Sequence, residues 1–488
     1  MDEAVASRSS ELSFIIVQLN DVYEIAPVEG GRRGGLARVA TLRKELLKET
    51  PHVLTVMSGD FLSPSAMGAT KIGGEPIGGA QMVASLNAMG LDYAGFGNHE
   101  FDGNQAQLEA RIKESRFGWI ASNVTSGTGQ LFPGTMRRKV LELRGPDGRR
   151  VRLGLLGICT DMVKKPWVRY EDKTEAARRE SAALAAESDV VVALTHLPIA
   201  EDKALAAAVP RLDVLLGGHE HESTAVVAGA DATPIYKADA NARTVYVHRF
   251  HFDVETKKLR LTSQLTEIDQ TIPEDPAVKQ VVEAWKTKVF ATLRAGGVDP
   301  EQVVGNAREP LDGFESSVRN RPTTLTRLIA EAFHAADPAA EATVYAAGAI
   351  RLDDRLVPGP ITQYDLVRIF PFGGTLGLVE IKGELLIKAL EQGERNRGAG
   401  GFLQYHRLSR RPSDQAWLIG GRPIEPKRQY KVLFADFLLT GQERGLPFLK
   451  ADAPGGQVRK LRDTRPVREL LATYLGRAAA RPASSASP

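Results

Sequence analysis

Short apolar runs alternate with amphipathic stretches through the first half of the chain. Residues 14–19, 53–57, 93–96, 119–123, 151–158, 190–195 and 214–216 are nearly continuous in hydrophobic side chains, the pattern of strands buried on both faces. Between them, 35–49, 79–89, 105–114 and 174–186 carry apolar residues at helical spacing. This alternation predicts a layered α/β domain with both sheet faces covered. At 266–276 the pattern breaks into a Pro- and Asp-marked junction, TEIDQTIPEDP, and 277–293 reads as an amphipathic connecting helix. A second α/β unit follows, with a helix over 323–335 and strands over 342–346, 375–382 and 429–434. The expected organisation is a first domain over 10–272, a linker helix over 273–297, a second domain over 298–476 and a disordered Ala/Ser/Pro-rich tail over 477–488.

Charge changes this picture little. The 63 basic residues nearly balance the 60 acidic ones, for a formal charge of +3, so no basic footprint for a nucleic acid polymer is present. The pairs Arg137-Arg138 and Arg149-Arg150 read as solvated hairpin ends. Cys159 is the only cysteine; it excludes an intrachain disulfide and, inside an apolar run, reads as a small core residue. No apolar stretch reaches the ~18–20 residues of a membrane span. Acidic residues at positions 2 and 3 and the lack of a separate apolar run argue against a secretory signal. Cytoplasmic residence is therefore expected, or periplasmic residence if an export sequence has been removed.

Polar clusters follow several of the apolar runs. They are Asn20-Asp21-Val22-Tyr23, Ser58-Gly59-Asp60, Gly97-Asn98-His99-Glu100, Thr195-His196-Leu197 and Gly217-Gly218-His219-Glu220-His221. Carboxylates, an amide oxygen and imidazoles, without thiolates, suit Mn²⁺, Zn²⁺, Co²⁺ or iron. Alone, each cluster has an ordinary explanation: a Gly-Asp pair is commonly a turn, and a single histidine such as His196 is commonly a core residue. Five in order, each at a strand's C-terminal end, predict a shared ligand-binding edge.

This series resembles the calcineurin-like metallophosphoesterase superfamily. Asn98-His99-Glu100-Phe101-Asp102 and the C-terminal half are similar to the 5′-nucleotidase family, over about 12–475. The resemblance implies a four-layer α/β/β/α metallophosphoesterase sandwich followed by a smaller α/β substrate-binding domain. It also implies two divalent metal ions, with Asp60 bridging them, Asp21 and His221 completing the first site, and Asn98, His196 and His219 completing the second. His99 and Asp102 would form a pair that stabilises the transferring phosphoryl group or assists the leaving oxygen, although Asp102 could instead cap a helix. The family's usual histidine at the third position of the first motif is Tyr23 here. Its phenol could ligate the first metal, hydrogen-bond to a metal-bound water or a phosphate oxygen, or only fill space.

In the second half, Gly348-Ala349-Ile350-Arg351 resembles the family's nucleotide-contacting segment, with Ala346 in place of a usual asparagine. Arg319 matches a second contacting arginine. Phe372, in Pro371-Phe372-Gly373-Gly374, and Phe437 match the base-stacking aromatics, and Glu443 stands where an aspartate would contact the ribose. The implied activity is metal-dependent release of phosphate from nucleoside monophosphates, a small-molecule substrate with no membrane partner. Two alternatives remain at this stage. One is a related phosphoesterase acting on cyclic nucleotides, nucleotide sugars or a thiosulfate-like ester. The other is a nucleotide-binding protein with an impaired metal centre.

Overall fold

The computed structural model describes residues 10–453 and 456–480, and the chain divides into two compact units between Val289 and Phe290. In the first unit, strands β1 (Glu11–Leu19), β2 (Val53–Ser58), β3 (Tyr93–Gly95) and β4 (Gly118–Ile120) run parallel to one another in one sheet. The second sheet contains β5 (Arg138–Arg144), β6 (Arg150–Cys159), β7 (Val190–His196), β8 (Val214–Gly218), β9 (Thr224–Ala228) and β10 (Thr233–Lys237), in the order β9-β10-β8-β7-β6-β5. Strands β11 (Thr244–Asp253) and β12 (Leu259–Glu267) extend the first sheet beyond β1, antiparallel.

Side-chain alternation builds the layers. Phe14, Ile16, Val56 and Ile120 from the first sheet share a core with Leu153, Leu155, Val192 and Leu194 from the second. The intervening residues Leu156, Ile158, Val191 and Ala193 turn to the other face, because successive strand side chains point to opposite sides. There they pack with helices at Lys173–Glu187 and Ile199–Ala208. On the far side of the first sheet, α1 (Leu36–Glu49) packs on β2 and on α2 (Ala80–Met89), which in turn meets α3 (Gln105–Glu114). The result is the expected α/β/β/α sandwich. Each fully buried Val or Leu in it contributes roughly 1.5–3 kcal/mol.

The hydrophobic-run pattern passes over β5, β9, β10, β11 and β12. Two of these, the edge strands β9 and β12, bury alternate residues only partly, so their sequences carry no continuous apolar run. The arginine pairs also need correction. Arg149 and Arg150 do lie at the β5–β6 hairpin turn. Arg138, however, pairs with the buried Glu180 at 2.8 Å and Arg137 with Glu171 at 2.9 Å.

The junction helix spans Pro276–Ala295. In the second unit, β13 (Ala342–Ala346), β14 (Leu376–Lys382), β15 (Leu403–His406), β16 (Gln429–Ala435) and β17 (Val458–Asp463) form a sheet ordered β15-β13-β16-β14-β17. Thr323 caps the helix Thr324–His334 through a reciprocal capping box. The last helix, Val467–Ala480, carries 477–480 in helical form rather than as part of a disordered tail; the remainder of that expected tail, 481–488, lies outside the described residues. Among the described residues, no helix is long and apolar enough to cross a membrane.

Candidate metal centre

Within the first unit, all five polar clusters fall at the C-terminal ends of β1, β2, β3, β7 and β8. Three of the residues there are held at positive φ: Asp21 at 52°, Asp60 at 56° and His219 at 86°. For side chains other than glycine such conformations cost about 1–3 kcal/mol each and persist only where the surroundings enforce them. Close approach explains the flanking glycines. A Cβ on Gly97 would lie 2.2 Å from Asp60 Oδ1, and one on Gly218 would lie 2.5 Å from the Ser58 carbonyl oxygen.

Asp21, Asp60 and His196 are buried, with candidate ligand atoms within 4.8 Å of one another. Asp21 Oδ2 accepts hydrogen bonds from Asn20 Nδ2 and the His219 backbone N–H, both at 2.9 Å. Its Oδ1 faces His221 Nε2 at 3.5 Å and His196 Nε2 at 3.9 Å. Asp60 Oδ1 accepts the His99 backbone N–H at 2.8 Å, while Oδ2 lies 3.1 Å from His196 Nε2. His219 stacks edge-on against His196, with ring centroids 5.3 Å apart.

The donor set fits metal ions. His196 Nδ1 donates to the Ser58 carbonyl at 2.7 Å, so in the neutral tautomer Nε2 turns a lone pair toward a carboxylate. Among the described residues, His196 Nε2 and Asn98 Oδ1 are buried without a hydrogen-bond partner. In that tautomer His196 Nε2 and Asp60 Oδ2, 3.1 Å apart, are two lone-pair-bearing atoms facing each other in a dry site, and they call for a cation between them. The electrostatics show the pull of the two carboxylates on positive charge. Burial opposes charge on His196, yet Asp60 and Asp21 outweigh it and raise its pKa to about 9. Burial would raise Asp60 as well, but the imidazoles of His196 and His99 hold it well below the usual carboxylate range. His219 is lowered to about 4 by burial and by the charge on His196.

Tyr23 is buried and touches this cluster directly. Its hydroxyl lies 3.1 Å from His221 Nε2, 3.3 Å from Asp60 Oδ2 and 3.5 Å from Asp21 Oδ1.

His99 Nδ1 and Asp102 Oδ2 are 2.8 Å apart. The following helix is capped by Asn104, whose side chain accepts from the Gln107 N–H, so capping is not the role of Asp102. Two supporting residues had no role in the sequence reading. Ser63 Oγ donates to Asp102 Oδ2 at 2.9 Å. Glu100 accepts four backbone N–H groups, from Asp60, Phe61, Leu62 and Gly97, at 2.7–3.1 Å. It thereby ties the Asp60 turn to the Asn98 turn, and burial together with the nearby Asp60 charge pushes it up to about 7. The signal available in sequence was an acid inside a ligand motif.

In the second unit, β13 and β16 are parallel and β14 and β15 run antiparallel to them. The loops after β13 and β16 therefore meet the loops before β14 and β15 at one sheet edge. Arg351 follows β13, with its backbone N–H on the Ile369 carbonyl at 2.9 Å. Ala346 is buried in the core. Phe372 is 66% exposed and Phe437 50%, too much for core residues. Asp436 joins their loops, accepting the Thr375 and Phe437 backbone N–H groups at 2.7 Å each. Glu443 lies over Gly401, where a Cβ would come within 2.6 Å of its Oε1. Arg319, one turn after Glu315, forms an ion pair with it.

The chain is similar to known proteins. Residues 14–223 match the calcineurin-like phosphoesterase family and residues 303–451 the C-terminal domain of 5′-nucleotidase. A 5′-nucleotidase of Bos taurus is 27% identical over 469 residues, covering 84% of this chain and 78% of its own length. A 5′-nucleotidase precursor from Thermus thermophilus superposes with a TM-score of 0.77 at 23% identity, covering 96% of this chain and 97% of that one. A sulfate thiohydrolase of the same bacterium does so with a TM-score of 0.71 at 16% identity, covering 96% and 95%.

Proposed function

The chain belongs to the 5′-nucleotidase family of phosphoesterase hydrolases, and from that premise we propose that it releases phosphate from nucleoside 5′-monophosphates at the buried Asp–His cluster. The observation that carries the proposal is the buried cluster of Asp21, Asp60 and His196, whose ligand atoms lie within 4.8 Å of one another, with His196 Nε2 3.1 Å from the carboxylate of Asp60.

In this reading Asp21, Asp60 and His221 would hold one divalent ion, and Asp60, Asn98, His196 and His219 a second. Such a pair, when bound, supplies an activated water and neutralises charge on the phosphoryl oxygens. The remaining work belongs to the chain. Asp102 accepts a hydrogen bond from His99 Nδ1–H and so presents His99 Nε2 to the phosphoryl group, where the imidazole stabilises developing charge or protonates the leaving oxygen. Ser63 fixes the orientation of Asp102. Tyr23 directs its hydroxyl at Asp60 and His221, and acts by hydrogen bonding to the groups around the first ion.

Recognition falls to the second unit. Arg319 and Arg351 suit an anionic substrate group because their forked donors are planar and permanently charged. Phe372 and Phe437 suit a base held by stacking, and Glu443 the ribose hydroxyls.

A phosphate-release screen tests the reading. The purified chain, supplied with Mn²⁺, Zn²⁺ or Co²⁺, is offered nucleoside monophosphates, cyclic nucleotides, nucleotide sugars and an aryl phosphate. Preferential turnover of nucleoside monophosphates is expected. Preference for another ester class would move the substrate assignment, and no turnover of any ester would overturn it.

A further inference from the structure

Beneath the histidine-bearing turns lies a fully buried lysine that the mechanism above does not use. Lys237 ends β10, and its residue partner across the β8–β10 ladder is Gly217. The missing side chain at Gly217 makes room for it, since a Cβ there would come within 3.0 Å of Lys237 Cε. The ammonium group crosses this gap and reaches two neighbouring strand ends. It donates to the Leu197 carbonyl at 2.6 Å and to the Gly218 carbonyl at 2.8 Å. It also forms an ion pair with the buried Asp202 at 2.7 Å and another with Glu220. Glu220 in turn accepts the Ile199 backbone N–H at 2.7 Å.

The bonded positions are adjacent in sequence to candidate ligands. Leu197 follows His196, Gly218 precedes His219, and Glu220 separates His219 from His221. We infer that Lys237 is a positioning residue, a buried cationic clamp that sets the separation of His196 and His219 and so determines affinity for the ion they share. The inference rests on the ligand assignment proposed above. Its physical basis is the cost of burying charge. An ammonium group sealed from water is stable only with its carbonyl and carboxylate partners in place, so the five groups hold one geometry. The two histidines inherit it, and groups that orient ligands typically carry 10- to 100-fold in metal affinity.

Calorimetric titration of the metal-stripped full-length chain with Mn²⁺ tests this. The wild type should take up two ions. Lys237→Met should still take up two, with the second bound about 10- to 100-fold more weakly. The Mn²⁺ concentration for half-maximal turnover of an aryl phosphate should rise by the same factor, with KM at saturating Mn²⁺ unchanged. A merely structural lysine would lower thermal stability without moving either metal readout. Because Lys237→Met leaves two carboxylates uncompensated, the triple variant Asp202→Asn/Glu220→Gln/Lys237→Met provides a charge-relieved version, expected to fold and to show the same weakened second site. Wild-type Mn²⁺ affinities in that triple variant would overturn the clamp alone. A wild-type chain that takes up no pair of Mn²⁺ ions would overturn the ligand assignment, and the clamp with it.

Discussion

At the strand ends of the first unit the polar residues are buried and multiply bonded, whereas at the corresponding edge of the second unit two phenylalanines stand out toward solvent. Asp21, Asp60 and His196 are sealed in, each oriented by backbone or side-chain hydrogen bonds. Phe372 and Phe437 sit on loops joined to each other mainly through Asp436. Under the proposed function, the difference follows from what each site would be asked to do. Charge stabilisation requires preorganised groups in a dry place, where they do not reorient as charge develops. Planar-ring recognition requires accessible apolar faces, and tolerates replacement because stacking is weakly directional. Chemistry and selectivity should therefore separate under mutation.

The largest expected effect is at Asp60. Asp60→Asn should abolish metal-dependent hydrolysis and lower metal content, checked by phosphate release and by elemental analysis of the same preparation. Full activity with two bound ions would break the comparison at its stronger end. Next comes His99→Ala, expected to depress kcat by roughly 10²–10⁴-fold with metal content unchanged. Loss of metal together with activity would make His99 a ligand instead.

The second unit supplies the middle of the scale. Phe372→Ala and Phe437→Ala should each weaken nucleotide binding by roughly 1–3 kcal/mol, the usual worth of a stacked base, read as a rise in KM for nucleoside monophosphates. Turnover of a small aryl phosphate should hardly change. Equal damage to both substrates would mean that the separation between the two regions fails.

Tyr23 should give the smallest effect. Tyr23→Phe removes one hydroxyl that touches Asp60 and His221 and should reduce turnover a few-fold, the worth of one ordinary hydrogen bond of about 0.5–1.5 kcal/mol, with metal retained. Tyr23→His should lower the metal concentration needed for activity. A phenolate-to-iron charge-transfer band in the purified protein, absent in Tyr23→Phe, would instead make the phenol a ligand.

Strands buried on both faces were legible because they leave continuous apolar runs, and β1, β2, β6 and β7 fall within a residue or a few of those runs. The ligand motifs were legible for a related reason: turns that end such strands need glycine, and the side chains beyond them are drawn from a small chemical set. The partly exposed β9 and β12 left no run to read, so periodicity passed over them.

What the sequence by itself determined, then, was the layered α/β plan, the two-part organisation and the identity of the residues placed at the strand ends. Only the tertiary structure decided how those residues are held. Glu100 bonds to residues 38–40 positions away, Ser63 to Asp102 across 39, and Lys237 to Leu197 across 40. Such pairings depend on which strands become neighbours, not on local spacing. Asn104 displaced Asp102 as a helix cap through the path of one turn, and the exposure of Phe437 followed from where its loop leaves the sheet. Local pattern reports what one segment buries. The partners of a buried charge are chosen by the packing of segments that the chain keeps far apart.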